Sequence, residues 1–260
     1  MTEQISDFYD PDLFDQEIGD ADGKETVEKY IDFVGCSPTT VVDIGAGTGR
    51  ITKRLLDENH SVVAIDRSER MIEALRRKTK ILDHDPRKLT VLCSSFGQNV
   101  TDKVSKVAVA PDDFLLHLLD LEDLSSFFLA ANSWLEPAGR LLTNIRPRIL
   151  DDLPLSGDPL PVKTFGIQEV QNGFCCVYFS ESFDLYSRML NTSFEYRMSD
   201  TDGNIASNWF RTLKQRLHTE QEVISSATSA GFKLSGELPN KLDDNQRSLA
   251  SGWYSFVKVA

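Results

Sequence analysis

No run in these 260 residues approaches the ~20 consecutive apolar positions of a membrane-spanning helix, so no membrane role is expected. Cysteine is scarce, and Cys36, Cys93, Cys175 and Cys176 have no metal-ligand spacing, so no metal site is predicted. Cys93 lies in an apolar run, and the adjacent Cys175 and Cys176 would face opposite sides of a strand. All four read as small core fillers of a reduced, cytoplasmic protein. Positive charge is scarce as well: 28 Lys and Arg stand against 40 Asp and Glu, a formal net charge of -12. Such a chain lacks the basic footprint that phosphate backbones require, which excludes DNA and RNA as expected substrates. The first 23 residues hold eight acids and neither Lys nor Arg, the opposite of the basic-then-apolar pattern of an export leader.

What is present is concentrated between residues 39 and 66. The apolar run Thr39 to Val42 leads into Asp43, Ile44 and then Gly45-Ala46-Gly47-Thr48-Gly49-Arg50. Ile51, Leu55 and Leu56 continue at helical spacing, and a second apolar run, Val62 to Ile65, ends in Asp66. This is a strand feeding a tight turn where a ligand can approach bare backbone, with a second strand delivering a carboxylate beside it. Asp66, placed 23 residues after Asp43, suits a two-pronged grip on ribose hydroxyls, so the pattern reads as an adenosine-cofactor site. Dinucleotide sites use G-x-G-x-x-G with a pyrophosphate at the helix start. Here the glycines follow G-x-G-x-G behind an acid, which would repel a pyrophosphate and suits a cofactor bearing an ammonium group.

On these residues the chain resembles the class I S-adenosylmethionine-dependent methyltransferases, whose first motif is a hydrophobic strand, an acid and alternating glycines. The resemblance implies an α/β, Rossmann-like doubly wound sheet. It also implies that Asp43, Gly45, Gly47 and Gly49 pack against the cofactor's methionine portion and that Asp66 holds its ribose, with Arg67 beside it. Many members carry an acid after the third strand to receive the adenine amino group. This chain has Ser94-Ser95-Phe96 there, so serine or backbone groups would make that contact and Phe96 would pack on the ring. Ala110, which closes the fourth strand, joins the expected cofactor contacts. Asp7-Phe8-Tyr9-Asp10 resembles the Tyr-Asp element near the start of many small-molecule methyltransferases, which sets Tyr9 near the cofactor. Phe8, Phe14 and neighbouring apolar residues interleave with the acids of this terminus, so residues 5–20 are expected to form a lid.

The remaining elements alternate as a doubly wound sheet requires. Helices are expected at about 24–35, 50–59, from 68 onward, and 121–136, and strands at 39–44, 61–66, 89–93, 104–110 and 140–145. The Glu136-Pro137-Ala138-Gly139 turn resembles a family element with Ala138 in place of a glycine. Pro147, Pro154, Pro159 and Pro161 mark a crossing loop. Apolar-aromatic runs without helical period follow at 162–167, 174–185, 189–199 and 207–218, with a turn by composition at Asp200 to Asn204. They predict an inserted antiparallel β lid. Thr219 and Glu222 form a capping box opening the last helix, stopped by Gly231, and a strand from Trp253 to Val259 closes the chain. The expected organisation is an N-terminal lid and helix (1–38), a cofactor-binding core (39–150), a substrate-lid insert (151–218) and a C-terminal completion of the sheet (219–260).

Methyl transfer to a nucleophile needs in-line placement, with a general base when the nucleophile is a hydroxyl. The segment after the fourth strand offers Asp112 and Asp113 to hold an amine beside the cofactor, the alternative reading being helix capping, and His117 as a base. Tyr178 and Trp209 are expected to line an acceptor pocket with Phe8, Phe14 and Asp112. The expected function is S-adenosylmethionine-dependent methylation of a small molecule or short modified peptide, preferably an amine and cationic. The alternatives are O-methylation with His117 or His218 as base, and a catalytically silent cofactor-binding protein. His60 and His84 read as uninvolved turn residues.

Overall fold

The computed structural model describes residues 11, 21–81, 85–95, 105–155, 162–170, 173–235 and 249–259. The chain divides into two compact units, one of residues 1–147 with 219–260 and one of residues 148–218.

In the first unit, strands β1 (Thr40–Ile44), β2 (Ser61–Asp66), β3 (Leu89–Cys93), β4 (Ser105–Ala110), β5 (Leu135–Ile145), β10 (Phe232–Leu234) and β11 (Gly252–Lys258) form one sheet, in the order β10-β11-β5-β4-β1-β2-β3. Strands β1 to β5 run parallel, while β11 pairs antiparallel with both β5 and β10. The continuous apolar runs Val62 to Ile65 and Val107 to Ala110 are buried, as strands covered on both faces must be. Covering helices are α1 (Ala21–Val34), α2 (Arg50–Asp57), α3 (Glu69–Ile81), α4 (Leu121–Ser133) and α5 (Glu220–Ser229). Met71, Ile72 and Leu75 of α3 are buried together, as are Leu124, Phe127, Phe128 and Ala131 of α4. Phe128 stands edge-on to Phe127, Phe232 and Phe256, tying α4 to β10 and β11. No helix among the described residues is long and apolar enough to cross a membrane.

This is the doubly wound sheet expected from the sequence, with four local differences. Helix α4 ends at Ser133, and β5 starts at Leu135, five positions before the expected Arg140. Glu136 to Gly139 form an irregularity within β5, where pairing to β4 jumps from Leu135 to Arg140 and Ala138 sits at φ 62. Cys36 and Cys93 are exposed and Cys176 is half-buried instead of filling the core; Cys36 lies in the loop before β1, and Cys93 ends an edge strand paired on one side only. His60 is buried and its Nδ1 accepts a hydrogen bond from the Thr39 backbone N–H, so it ties β2 to β1. His84 lies outside the described residues.

The second unit carries a four-stranded antiparallel sheet of β6 (Lys163–Val170), β7 (Gly173–Asp184), β8 (Met189–Ser199) and β9 (Ile205–Arg216), in chain order. Burial alternates along β7, with Cys175, Val177, Glu181 and Phe183 buried on one face. Asp200 makes the β8–β9 turn by accepting from the backbone N–H groups of Asp202 and Asn204, with Gly203 at φ 85. The capping box also forms: Thr219 Oγ1 accepts from Glu222 N, and Glu222 accepts from Thr219 N.

Candidate active site

The chain builds β1, β2 and β3 outward in one direction and then returns to place β4 on the other side of β1. In open α/β sheets ligands bind at such a reversal of strand order, beyond the carboxyl ends of the flanking strands, here β1 and β4. The glycine turn leaves β1 at this point. Gly45, Gly47 and Gly49 have φ of 74, 55 and 91, all in the left-handed region, so the spacing of the motif reflects backbone need. A Cβ on Gly45 would lie 2.4 Å from Cδ2 of Phe114 and one on Gly49 would lie 2.8 Å from Cγ of Leu75.

Two carboxylates frame the turn. Asp66, ending β2, accepts from Gly47 N at 2.9 Å and from Ser68 N at 2.8 Å, which pins its side chain against the glycines. Burial raises its pKa, opposed by those two backbone donors. Asp43 is fully buried in β1, and its Oδ2 accepts from Thr52 Oγ1 at 2.6 Å. Its Oδ1 has no hydrogen-bond partner among the described residues. Burial, aided by the fields of Asp112 and Asp66, pushes the Asp43 carboxyl up to about 7. A buried oxygen without a donor, beside a turn opened by three left-handed glycines, fits a cofactor that brings an ammonium group and a ribose. Asp43, Asp66 and the glycine turn are the residues that would hold it.

The raised pKa of Asp43 gives a pH dependence with a definite sign. The folded protein holds this proton up to about pH 7, whereas the unfolded chain releases it near the ordinary aspartate value of 3.8. Between those values the native state binds more protons, so stability falls as pH rises and levels off above about 7. Each unit of separation is worth about 1.4 kcal/mol. Cofactor-free wild type is expected to lose more urea resistance between pH 5 and pH 8 than Asp43→Asn does. Equal losses would show that Asp43 does not titrate in this range.

The remaining expected positions are placed as follows. Arg67 is exposed, and its field lowers the pKa of Asp66. Ser94 N donates to the Asp66 carbonyl at 2.9 Å, which places Ser94 and Ser95 beside the carboxylate strand end. Ala110 is buried, and its carbonyl receives Thr143 Oγ1 at 2.7 Å. Tyr9 and Phe96, and the expected acceptor-pocket residues Phe8 and Phe14, lie outside the described residues.

The acids after β4 behave differently from each other. Asp112 faces Arg50, whose Nη2 lies 2.6 Å from both carboxylate oxygens. The pair spans the strand reversal, since Arg50 opens α2 after β1 and Asp112 follows β4. Asp113 is buried and committed to Arg146, accepting from its backbone N at 2.6 Å and its Nε at 2.5 Å. The expectation that Asp113 holds an amine is therefore corrected, and so is helix capping by its side chain, which makes no cap hydrogen bond. The cause is local: Asp112 and Asp113 take φ of 57 and 59, which turns the second carboxylate inward.

His117 ends a short 3-10 helix, Phe114–His117. Burial and the nearby Arg67 depress its pKa to about 4, with Asp113 opposing and Arg146 adding a smaller effect. It is neutral at physiological pH and a weak base. His218 is buried at the end of the second unit.

The two aromatic residues expected to share a pocket are separated by the register of the insert. Val177, Tyr196 and Trp209 pair across β7, β8 and β9, so Tyr178, paired with Glu195 and Phe210, faces the opposite side. Trp209 stacks on Tyr196 with ring centroids 5.3 Å apart, and Arg197 lies over Tyr178 at 4.7 Å. One pocket on this sheet cannot be lined by both. Arg50, Arg146 and Asn144 were missed as site residues by the sequence reading. Arg50 directly follows the third glycine and had a positional signal, whereas Asn144 and Arg146 gain meaning only from the β4–β5 pairing.

Comparison with known proteins agrees with this geometry. Residues 41–139 match the methyltransferase-domain family. Over 54 residues the chain is 43% identical to a mitochondrial ribosomal RNA small subunit methyltransferase of Arabidopsis thaliana, a match covering 20% of this chain and 14% of that protein. Among solved structures, the CcbJ methyltransferase from Streptomyces caelestis is 19% identical, with TM-score 0.75 and 100% of both chains covered. The sugar N-methyltransferase KedS8 from a Streptoalloteichus species is 14% identical, with TM-score 0.73, 97% of this chain and 94% of the other covered. At these identities the structural likeness is one of fold.

Proposed function

We propose that this chain, whose residues 41–139 match the methyltransferase-domain family, uses S-adenosylmethionine to methylate a small molecule or short modified peptide at an amine. The observation that carries the amine reading is the acidity of the β1–β4 crevice. Asp43, Asp66 and Asp112 gather at or just beyond the ends of their strands, and the raised pKa of Asp43, due mainly to burial, is pushed further by the fields of the other two. A negative field of this kind draws in and orients a cation.

When bound, S-adenosylmethionine supplies a methyl group on a strongly electrophilic sulfonium. The task left to the protein is to orient the nucleophile and exclude water. Asp112, pinned by Arg50, accepts a hydrogen bond from the acceptor's neutral amine, whose lone pair takes the methyl group as the carbon–sulfur bond breaks, and the positive charge that moves from sulfur to nitrogen stays within the same acidic surroundings. His117, with a pKa near 4, is poorly matched to deprotonating a hydroxyl at neutral pH, which supports nitrogen over oxygen. The net charge of -12 argues against a polyanionic acceptor such as RNA. KedS8 is a sugar N-methyltransferase, which adds support by analogy of fold alone.

The test is transfer of labelled methyl to matched amine and hydroxyl acceptors, including amino sugars and peptides with free amino termini. Turnover is expected with amines, and Asp112→Asn is expected to raise the acceptor KM about tenfold, the worth of one charge-assisted hydrogen bond. Turnover confined to hydroxyl acceptors would overturn the amine reading. No consumption of cofactor with any acceptor would leave the silent cofactor-binding alternative standing.

A further inference from the structure

We propose that Tyr30 and Asn144 are positioning residues of the transfer site, fixing the left-handed Asp112–Asp113 segment and thereby setting the Asp112 carboxylate against Arg50. The inference rests on the cofactor-binding reading above and adds two residues that no motif includes.

Two consecutive non-glycine residues at φ 57 and 59 are a strained arrangement, which persists only where the surroundings over-determine it. Both restraints come from the end of β5. Arg146 takes the Asp113 carboxylate through its backbone N and its Nε. Asn144 takes the Asp112 backbone, with Asp112 N donating to Asn144 Oδ1 at 3.1 Å. A backbone N–H can only donate, so the amide atom facing it must be the oxygen, and the orientation of the Asn144 side chain follows. Tyr30 OH lies 2.5 Å from the same oxygen and must therefore be the donor there. Tyr30 is fully buried and its pKa is raised well above the ordinary tyrosine value, chiefly by burial, which keeps that proton in place.

The chain of contacts runs from α1 through β5 to the segment after β4 and, across the Asp112–Arg50 pair, to the start of α2 beside the third glycine. A hydroxyl on the first helix thus sets a carboxylate and a guanidinium on the two segments that flank the crevice. Asn144 is well placed for this because its short side chain leaves β5 one residue before the strand ends.

The experiment is a double-mutant cycle on affinity for S-adenosylmethionine, measured by calorimetric titration of the full chain. Tyr30→Phe keeps the ring and its packing on Trp253, 5.0 Å away between centroids, and removes only the donor. Tyr30→Phe and Asp112→Asn are each expected to weaken binding about fivefold, and together no more than Asp112→Asn alone, as coupled neighbours do. A double variant weakened by the product of the two single effects would overturn the proposal, as would a Tyr30→Phe protein that melts lower yet binds like wild type. If Tyr30→Phe does not fold, Asn144→Ala replaces it in the same cycle with the same expectation. Wild type that fails to bind the cofactor would overturn the underlying reading and this inference with it, a result distinct from additivity.

Discussion

Replacing Asp66 with alanine is expected to weaken S-adenosylmethionine binding at least about a hundredfold. A carboxylate–hydroxyl hydrogen bond contributes roughly 1.5–3 kcal/mol, and Asp66 offers two oxygens to a ribose. The same oxygens already accept from Gly47 N and Ser68 N. Each carboxylate oxygen has a second acceptor position, so holding the turn and holding a ligand do not compete. Asp66→Ala removes both functions: it strands two backbone donors and deletes the ligand contact. Asp66→Asn keeps one acceptor oxygen and is expected to lose about tenfold, in line with one charge-assisted bond. Calorimetric titration with S-adenosylmethionine, with melting temperatures as control, checks both. Asp66→Ala that melts normally and binds as wild type does would remove Asp66 from the site and, with it, the main reason for reading an adenosine cofactor there.

Gly45→Ala is expected to lower stability by about 2–5 kcal/mol and to abolish detectable cofactor binding. Two costs combine. A non-glycine residue at φ 74 pays about 1–2 kcal/mol for the left-handed backbone. The added Cβ would also lie 2.4 Å from Phe114 Cδ2, and overpacking of this kind costs roughly 1–3 kcal/mol. The Phe114 ring packs on the buried ring of Phe127 at 5.3 Å between centroids, so it has limited freedom to move away. Gly35 provides the internal control: it has φ 89, and a Cβ there meets nothing within 4 Å. Gly35→Ala should therefore pay the backbone cost alone, about 1–2 kcal/mol. Urea denaturation of the two variants separates the terms. Equal losses would show that the contact with Phe114 is relieved at little cost and that the turn tolerates a side chain.

The two predictions draw on different sources of information. Asp66 was legible in the sequence, because a β-branched run ending in an acid, behind a glycine turn, has few other physical readings. The strain at Gly45 was legible too, in that alternating glycines announce backbone that other residues avoid. The identity of the side chain pressing on Gly45 was not legible. Phe114 lies 69 positions away along the chain, on the far side of the strand reversal, and only the pairing of β1 with β4 brings it there.

The sequence by itself determined the alternating strands and helices of the first unit, the glycine turn with its two acids, and the antiparallel insert with its Asp200 turn. These follow from local rules: apolar periodicity, backbone conformations reserved for glycine, and short polar side chains that close turns. Tertiary structure decided which groups remain available for chemistry. It gave Asp113 to Arg146, lowered the pKa of His117 to about 4, and turned Tyr178 and Trp209 to opposite faces of one sheet. It also joined Tyr30 to Asn144, 114 positions apart. Availability of a carboxylate or an imidazole depends on burial and on partners remote in the chain, and register across strands depends on bulges and turns. Neither is written in the spacing of neighbouring residues.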